Sequence, residues 1–183
     1  MIWNNTMINS PWKTISSKRV YENPWLTVRQ DEVVRPDGKP GIYGVVEGRH
    51  FVEIIPKLSD NFYLIEQYRY PVQRKSLEFP AGAIEKDESI ESALRRELEE
   101  EAGLKAAKLV RLGFANVAPG HNTVGFFIYL ALDCRVIKRK LEGSEADMIT
   151  LRMREDEVRE AIKSGRVIDG PTIAAFCLYL LNK

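Results

Sequence analysis

Cysteine and histidine are both scarce, with 2 of each among 183 residues. Cys134 and Cys177 lie far apart in apolar surroundings. They read as reduced core residues rather than as a disulfide or a catalytic thiol. No CxxC or Cys/His ligand spacing occurs, which argues against a zinc site. Neither sign of charge dominates: 27 basic and 26 acidic side chains leave a net charge of +1. That balance argues against a nucleic-acid-binding surface and leaves room for a small basic pocket. No apolar run approaches membrane-spanning length, and no basic segment followed by an apolar one opens the chain. The expectation is a cytoplasmic protein with neither a membrane nor a nucleic-acid partner. Repeats and low-complexity segments are also missing.

Hydrophobic residues make up 44% of the chain, enough for an ordinary core. The length suits one domain plus an arm. The chain is organised around Gly82 to Leu104, GAIEKDESIESALRRELEEEAGL. At about 100° per residue this stretch predicts an α-helix with Ile90, Leu94 and Leu98 on its inward face. Glu97, Glu100 and Glu101 fall on an overlapping arc, where bare negative charge is costly. Three crowded carboxylates need a compensating charge, and a hard divalent cation with oxygen ligands suits them. Asp87 or Ser89 can cap the helix and Gly103 can stop it. The competing reading, an exposed helix laced with i,i+4 charge pairs, explains neither the inward glutamates nor the glycines at both ends.

Gly82, Glu88 and the run Arg96-Glu97-Leu98-Glu99-Glu100-Glu101-Ala102-Gly103-Leu104 together resemble the Nudix box at every specified position. The string EQYRYPVQRKSLEFPAG before the box is similar to the segment found in pyrophosphatases of ADP-ribose and other nucleotide sugars. The resemblance implies an α/β fold, a Nudix α/β/α sandwich around a mixed sheet. It also implies divalent-metal-dependent hydrolysis of a nucleoside diphosphate sugar, ADP-ribose first, with Mg2+ or Mn2+ as cofactor. GDP-mannose or another nucleotide sugar is the alternative substrate. A nucleotide-sensing module without catalysis is the alternative of another class, and it predicts a degraded box, whereas the charged positions are intact here.

Site roles follow from the same resemblance. Glu97 and Glu101 are the first ligand pair, Glu100 joins them or serves a second ion, and the Ala81 carbonyl is a further ligand. Arg96 orients the glutamates through charged hydrogen bonds, and Glu88 supports the entry to the helix. Arg69, Arg74 and Glu78 are candidates for the diphosphate or sugar. An Arg69–Glu78 ion pair is the competing reading for two of them. In the loop after the box helix, Gly120 and His121 are placed beside the substrate, although His121 also reads as a solvated loop histidine. Glutamates that hold metal are poor proton acceptors. A separate base is therefore expected, and relatives take it from an acidic loop late in the sheet. Here that loop is LEGSEAD, residues 141–147. Glu145 is preferred, with Glu142 second; Asp147, shorter and against a strand, is less able to swing inward. Glu100 is next should both glutamates fail.

Residues 1–47 read as an N-terminal extension and antiparallel β-hairpin arm, and residues 48–183 as the hydrolase domain. Lys18–Val34 reads as one or two strands interrupted at Asn23-Pro24, Arg35-Pro36-Asp37-Gly38 as a turn, and Ile42–Val46 as the strand that follows it. The resemblance implies a homodimer formed through the arm. Tyr21, Trp25 and Tyr43 are candidate platforms for a nucleobase. Later, strands are predicted over Lys108–Phe114 and Thr123–Ala131. Two closing helices follow, the second apolar on most sides and buried.

Overall fold

A computed structural model describes residues 9–139 and 146–183. The chain forms two compact units. The first contains residues 9–48 together with 118–123, and the second contains residues 49–117 and 124–183 among those described.

The first unit is a three-stranded antiparallel sheet of β1 (Lys13–Glu22), β2 (Thr27–Val34) and β3 (Pro40–Glu47). Asn23 makes the first turn, its side-chain oxygen accepting from the Trp25 and Leu26 amides at 2.9 Å each. The second turn uses Gly38 at φ +80, a conformation that glycine adopts without steric cost. Of the one or two strands expected over Lys18–Val34, two form, and the first starts earlier than expected, at Lys13. β1 escapes a periodicity argument because all ten of its residues are exposed and show no alternation. Main-chain pairing with β2 holds it, helped by Ser16 and Ser17 hydroxyls on Glu32 and Asp31.

The second unit is a mixed seven-stranded sheet. Its elements are β4 (Phe51–Leu58), β5 (Asn61–Arg69), β6 (Arg74–Glu78), β7 (Ala81–Ala83), β8 (Leu104–Asn116), β9 (Gly125–Val136) and β10 (Ile149–Arg154). The order is β10-β5-β4-β9-β8, with β6 on β5 and β7 on β4. Only the β4–β9 pairing is parallel among these. Helix α1 (Ile90–Glu100) covers one face; α2 (Glu155–Lys163) and α3 (Gly170–Leu181) cover the other.

The period of two in β4 divides its side chains between the layers. Val52 and Ile54 join Leu94, Leu98 and Leu104 under α1. Ile55 joins Phe62, Phe79, Val158 and Phe176 on the α2–α3 side. Each fully buried large side chain of this kind contributes about 1.5–3 kcal/mol relative to exposure. The sandwich expected from the sequence is therefore the architecture found.

Two local expectations need correction. Cys177 is exposed, not part of the core. It sits on α3, which buries Thr172, Ala175, Phe176 and Tyr179 yet leaves Ile173 and Leu181 exposed. A helix on one face of a sheet has a single neighbour, so its outer side meets water even when apolar.

Candidate active site

Helix α1 begins as its sequence requires. Ser89, not Asp87, is the cap, accepting from the Ser92 amide at 3.1 Å. Gly103, at φ +64, turns the chain straight into β8. Between these ends Ala93, Leu94 and Leu98 pack inward and carry Glu97 and Glu101 with them, at 6% and 4% exposure.

Arg96 gathers the acidic groups. Its guanidinium donates to both Glu88 oxygens at 3.0 and 2.9 Å, to Glu97 at 2.5 Å and to Glu100 at 3.3 Å. It also reaches the Ala83 carbonyl at 3.0 Å. The Arg96 hydrogen bond is the main reason that the Glu88 carboxyl is held down at about 2. Glu88 also accepts from the Glu85 amide at 3.0 Å, which ties the turn before α1 to the helix. Arg96 in turn is held protonated beyond its usual range, by Glu88 first and then Glu97.

The strand before the helix closes on these glutamates. A Cβ added at Gly82 would lie 1.8 Å from Glu97 Oε1, so nothing larger than glycine fits without displacing that carboxylate. One residue earlier, the Ala81 amide donates to Glu101 Oε2 at 2.8 Å.

A second group of acids lies on the α3 side. Glu78, buried at 3%, is held by Arg69, whose Nε donates to its two oxygens at 2.9 and 3.1 Å. Glu53, at 1%, accepts from the Thr172 hydroxyl at 3.0 Å, while its Oε2 has no partner. Burial first, then the charge of Asp169, pushes the Glu53 carboxyl well above its ordinary range. Asp169 caps α3 through the Thr172 amide at 2.8 Å and is itself raised, chiefly by burial.

A family model described as the NUDIX domain matches residues 52–176. The chain belongs to the Nudix family. A second model, the nucleoside diphosphate sugar hydrolase N-terminal domain, matches residues 12–46. The ADP-ribose pyrophosphatase of Bacillus subtilis is 27% identical over 165 residues, covering 89% of each chain. That of Mycobacterium tuberculosis is 30% identical over 173 residues, covering 92% of this chain and 83% of its own. The crystal structure of an ADP compounds hydrolase superposes with a TM-score of 0.81 at 24% identity, covering 92% of this chain and 91% of that one. The last likeness bears on fold.

In this Nudix hydrolase the other expected residues are distributed as follows. Arg74 donates to the Gly165 carbonyl at 2.9 Å. Arg69 and Glu78 form the ion pair described above. Asp147 accepts from the Tyr68 amide at 3.2 Å. Glu142 and Glu145 lie outside the described residues. Within the three-stranded unit Tyr43, Gly120 and His121 come together around a pocket of about 290 Å³, also lined by Trp12 and Asp31. The Tyr43 hydroxyl donates to the Gly120 carbonyl at 2.5 Å, and Trp12 packs edge-on to Tyr43 at 5.3 Å. Tyr21 and Trp25 are absent from this lining and stand exposed at 55% and 76%.

Among the described residues, no three His, Cys, Asp or Glu side chains already stand together in ligating geometry. The donor chemistry nevertheless fits a hard divalent ion. Glu97 and Glu101 are buried oxygen donors one helical turn apart, and Glu100 lies beside them with Arg96 supplying the positive charge. Sequence reasoning missed Glu53, Thr172, Asp169 and Trp12. A signal existed for Glu53, the one acidic residue inside the apolar run Phe51–Pro56. Nothing local marked Thr172 or Trp12.

Proposed function

We propose that this Nudix hydrolase cleaves the diphosphate of a nucleoside diphosphate sugar. ADP-ribose is the first substrate, giving AMP and ribose 5-phosphate. The observation that carries the reading is the complete box, with Glu97 and Glu101 buried against the Gly82 strand. The N-terminal domain match and the similarity to two ADP-ribose pyrophosphatases support the substrate class. A water adds to one phosphorus, and the bond from that phosphorus to the bridging oxygen breaks.

A bound Mg2+ or Mn2+ would neutralise the diphosphate, stabilise the leaving charge and acidify the water. Glu97, Glu101, Glu100 and the Ala81 carbonyl would hold it. Arg96 orients Glu97 and Glu100 by the contacts already given. Arg69, Arg74 and Glu78 serve the diphosphate or sugar. Glu145, with Glu142 second, takes the proton from the attacking water. The three-stranded unit is the homodimer surface. Its pocket around Trp12, Tyr43, Gly120 and His121 suits a planar base better than the outlying Tyr21 and Trp25 do.

The test is product release from a panel of nucleotide sugars, dinucleotides and nucleoside triphosphates, with magnesium and with chelator. ADP-ribose should be cleaved fastest, and only with metal; GDP-mannose as the better substrate would move the assignment to the alternative. Glu97→Gln and Glu101→Gln should each lose at least about a hundredfold in turnover, as for loss of a principal electrostatic element. Glu145→Gln should lower kcat by about 10²–10⁴ with metal affinity little changed. Hydrolysis that survives in both box variants rejects the mechanism.

A further inference from the structure

Glu53 is an unusual choice for its position. It is the acidic residue of an otherwise apolar strand segment, Phe51–Pro56, and is buried between strands β7 and β9. Burying such a group costs free energy unless a hydrogen bond compensates. Its structural partner is Thr172, which is fully buried and 119 residues away.

The Thr172 hydroxyl has one proton. Its oxygen accepts from the Phe79 amide at 3.0 Å, so its own proton goes to Glu53 Oε1, also at 3.0 Å. Phe79, Pro80 and Ala81 form the segment that leads to Gly82. Pro80 has no N–H, which leaves two amides. One goes to Thr172, and the other, from Ala81, goes to Glu101 at 2.8 Å. The Pro80 carbonyl accepts from the Ile54 amide at 2.9 Å, one residue beyond Glu53. The segment is therefore pinned from the α1 side by Glu101 and from the α3 side by Thr172.

We propose that Glu53 is a positioning residue of the hydrolase, acting through the Thr172 hydroxyl to fix the Phe79–Ala81 segment against Glu101. Glu53 itself does not touch the reacting groups. Its acceptor oxygen sets the direction of the Thr172 proton, and that leaves the Thr172 lone pair aimed at the Phe79 amide. The metal role of the Ala81 carbonyl belongs to the function proposed above, and the catalytic consequence rests on that reading.

Four variants test it: Glu53→Leu and Thr172→Val, which break the relay, and Glu53→Gln and Thr172→Ser, which preserve it. Amide exchange at Phe79 is followed by NMR in the metal-free protein. Mn2+ affinity is measured by electron paramagnetic resonance, and kcat and KM on ADP-ribose. The relay-breaking pair should speed Phe79 exchange by about tenfold or more, weaken Mn2+ by about tenfold and lower kcat by a similar factor, with KM within about twofold. The conservative pair should stay near wild type in all readouts. Unchanged Phe79 exchange and Mn2+ affinity in Thr172→Val would overturn the proposal, as would a Glu53→Gln variant as impaired as Glu53→Leu. Should Glu53→Leu not fold, Thr172→Val and Glu53→Gln decide between them. A wild-type protein that leaves nucleotide sugars intact would reject the proposed function, while the exchange and Mn2+ readouts would still judge the relay.

Discussion

Five of the eight residues of β4 are buried, whereas all ten residues of β1 are exposed. The seven-stranded sheet has a helical layer on each face, and its side chains find apolar neighbours on both sides. In the three-stranded sheet, Val33 and Val45 are the buried apolar residues, with Asp31 beside them. Ile15, Val20, Tyr21, Trp25 and Ile42 stand in water there. The contrast teaches what each region can do by itself. A sheet covered on both faces holds side chains rigidly enough for Gly82 to abut Glu97. A bare sheet with scattered apolar groups is suited to being covered by something else.

The largest effect should come from breaking the rigid part. Gly82→Ala places a methyl group where the Glu97 carboxylate lies. Turnover should fall at least about a hundredfold, matching the loss of a principal electrostatic element, with a lower melting temperature. Steady-state rates and a thermal melt check both, and near-normal turnover would mean that the close approach is dispensable.

The bare sheet should respond in assembly. With a second copy as its cover, Ile15→Glu combined with Val20→Glu should weaken the dimer by about 30-fold or more, as for loss of a central interface residue. Ile149→Glu, on the edge strand of the larger sheet, should leave it intact. Sedimentation velocity distinguishes these; equal effects from both variants would dissolve the contrast between the sheets.

A smaller effect concerns pH and belongs to the covered sheet. The folded-state value of Glu53 is raised above its ordinary 4.5. Above pH 4.5 the unfolded chain therefore releases this proton while the folded chain retains it, and stability falls as pH rises toward the folded value. Glu53→Gln removes that penalty. Its melting temperature should match wild type near pH 4 and exceed it by about 2–4 °C at pH 8, the shift expected per kcal/mol at this chain length. Glu88 has the opposite sign. Its value is lowered to about 2, so the stability it supplies is present above 4.5 and is lost as pH falls toward 2.

The smallest effect lies in the bare sheet. Titrating AMP should quench the emission that Trp12 contributes, and Trp12→Phe should abolish that part of the change. Quenching undiminished in the variant would assign the signal to another tryptophan.

Much of the candidate site is legible in the sequence. The box helix, a cap at Asp87 or Ser89, and the inward Glu97 and Glu101 all follow from spacing, and the structure chooses Ser89. So do the two turns of the arm, from Asn23 and from Asp37-Gly38. The start of the arm's first strand at Lys13 did not, because main-chain pairing stabilises that strand and leaves no side-chain period to read. Cys177 and the outer face of α3 were misjudged because apolar character says what a residue tolerates, not which neighbour it has.

Taken by itself, the sequence determined what depends on neighbours a few positions away. Those features are the helix, its ends, the crowding of three carboxylates on one arc and the need for a compensating charge. Tertiary structure decided which distant residues complete them. Arg69 pairs with Glu78, Trp12 meets Tyr43, and Glu53 reaches Thr172 across 119 residues. Such contacts depend on strand register and on which face each helix covers. A one-residue slip in β4 would turn Glu53 away from α3 and bring Val52 or Ile54 in its place.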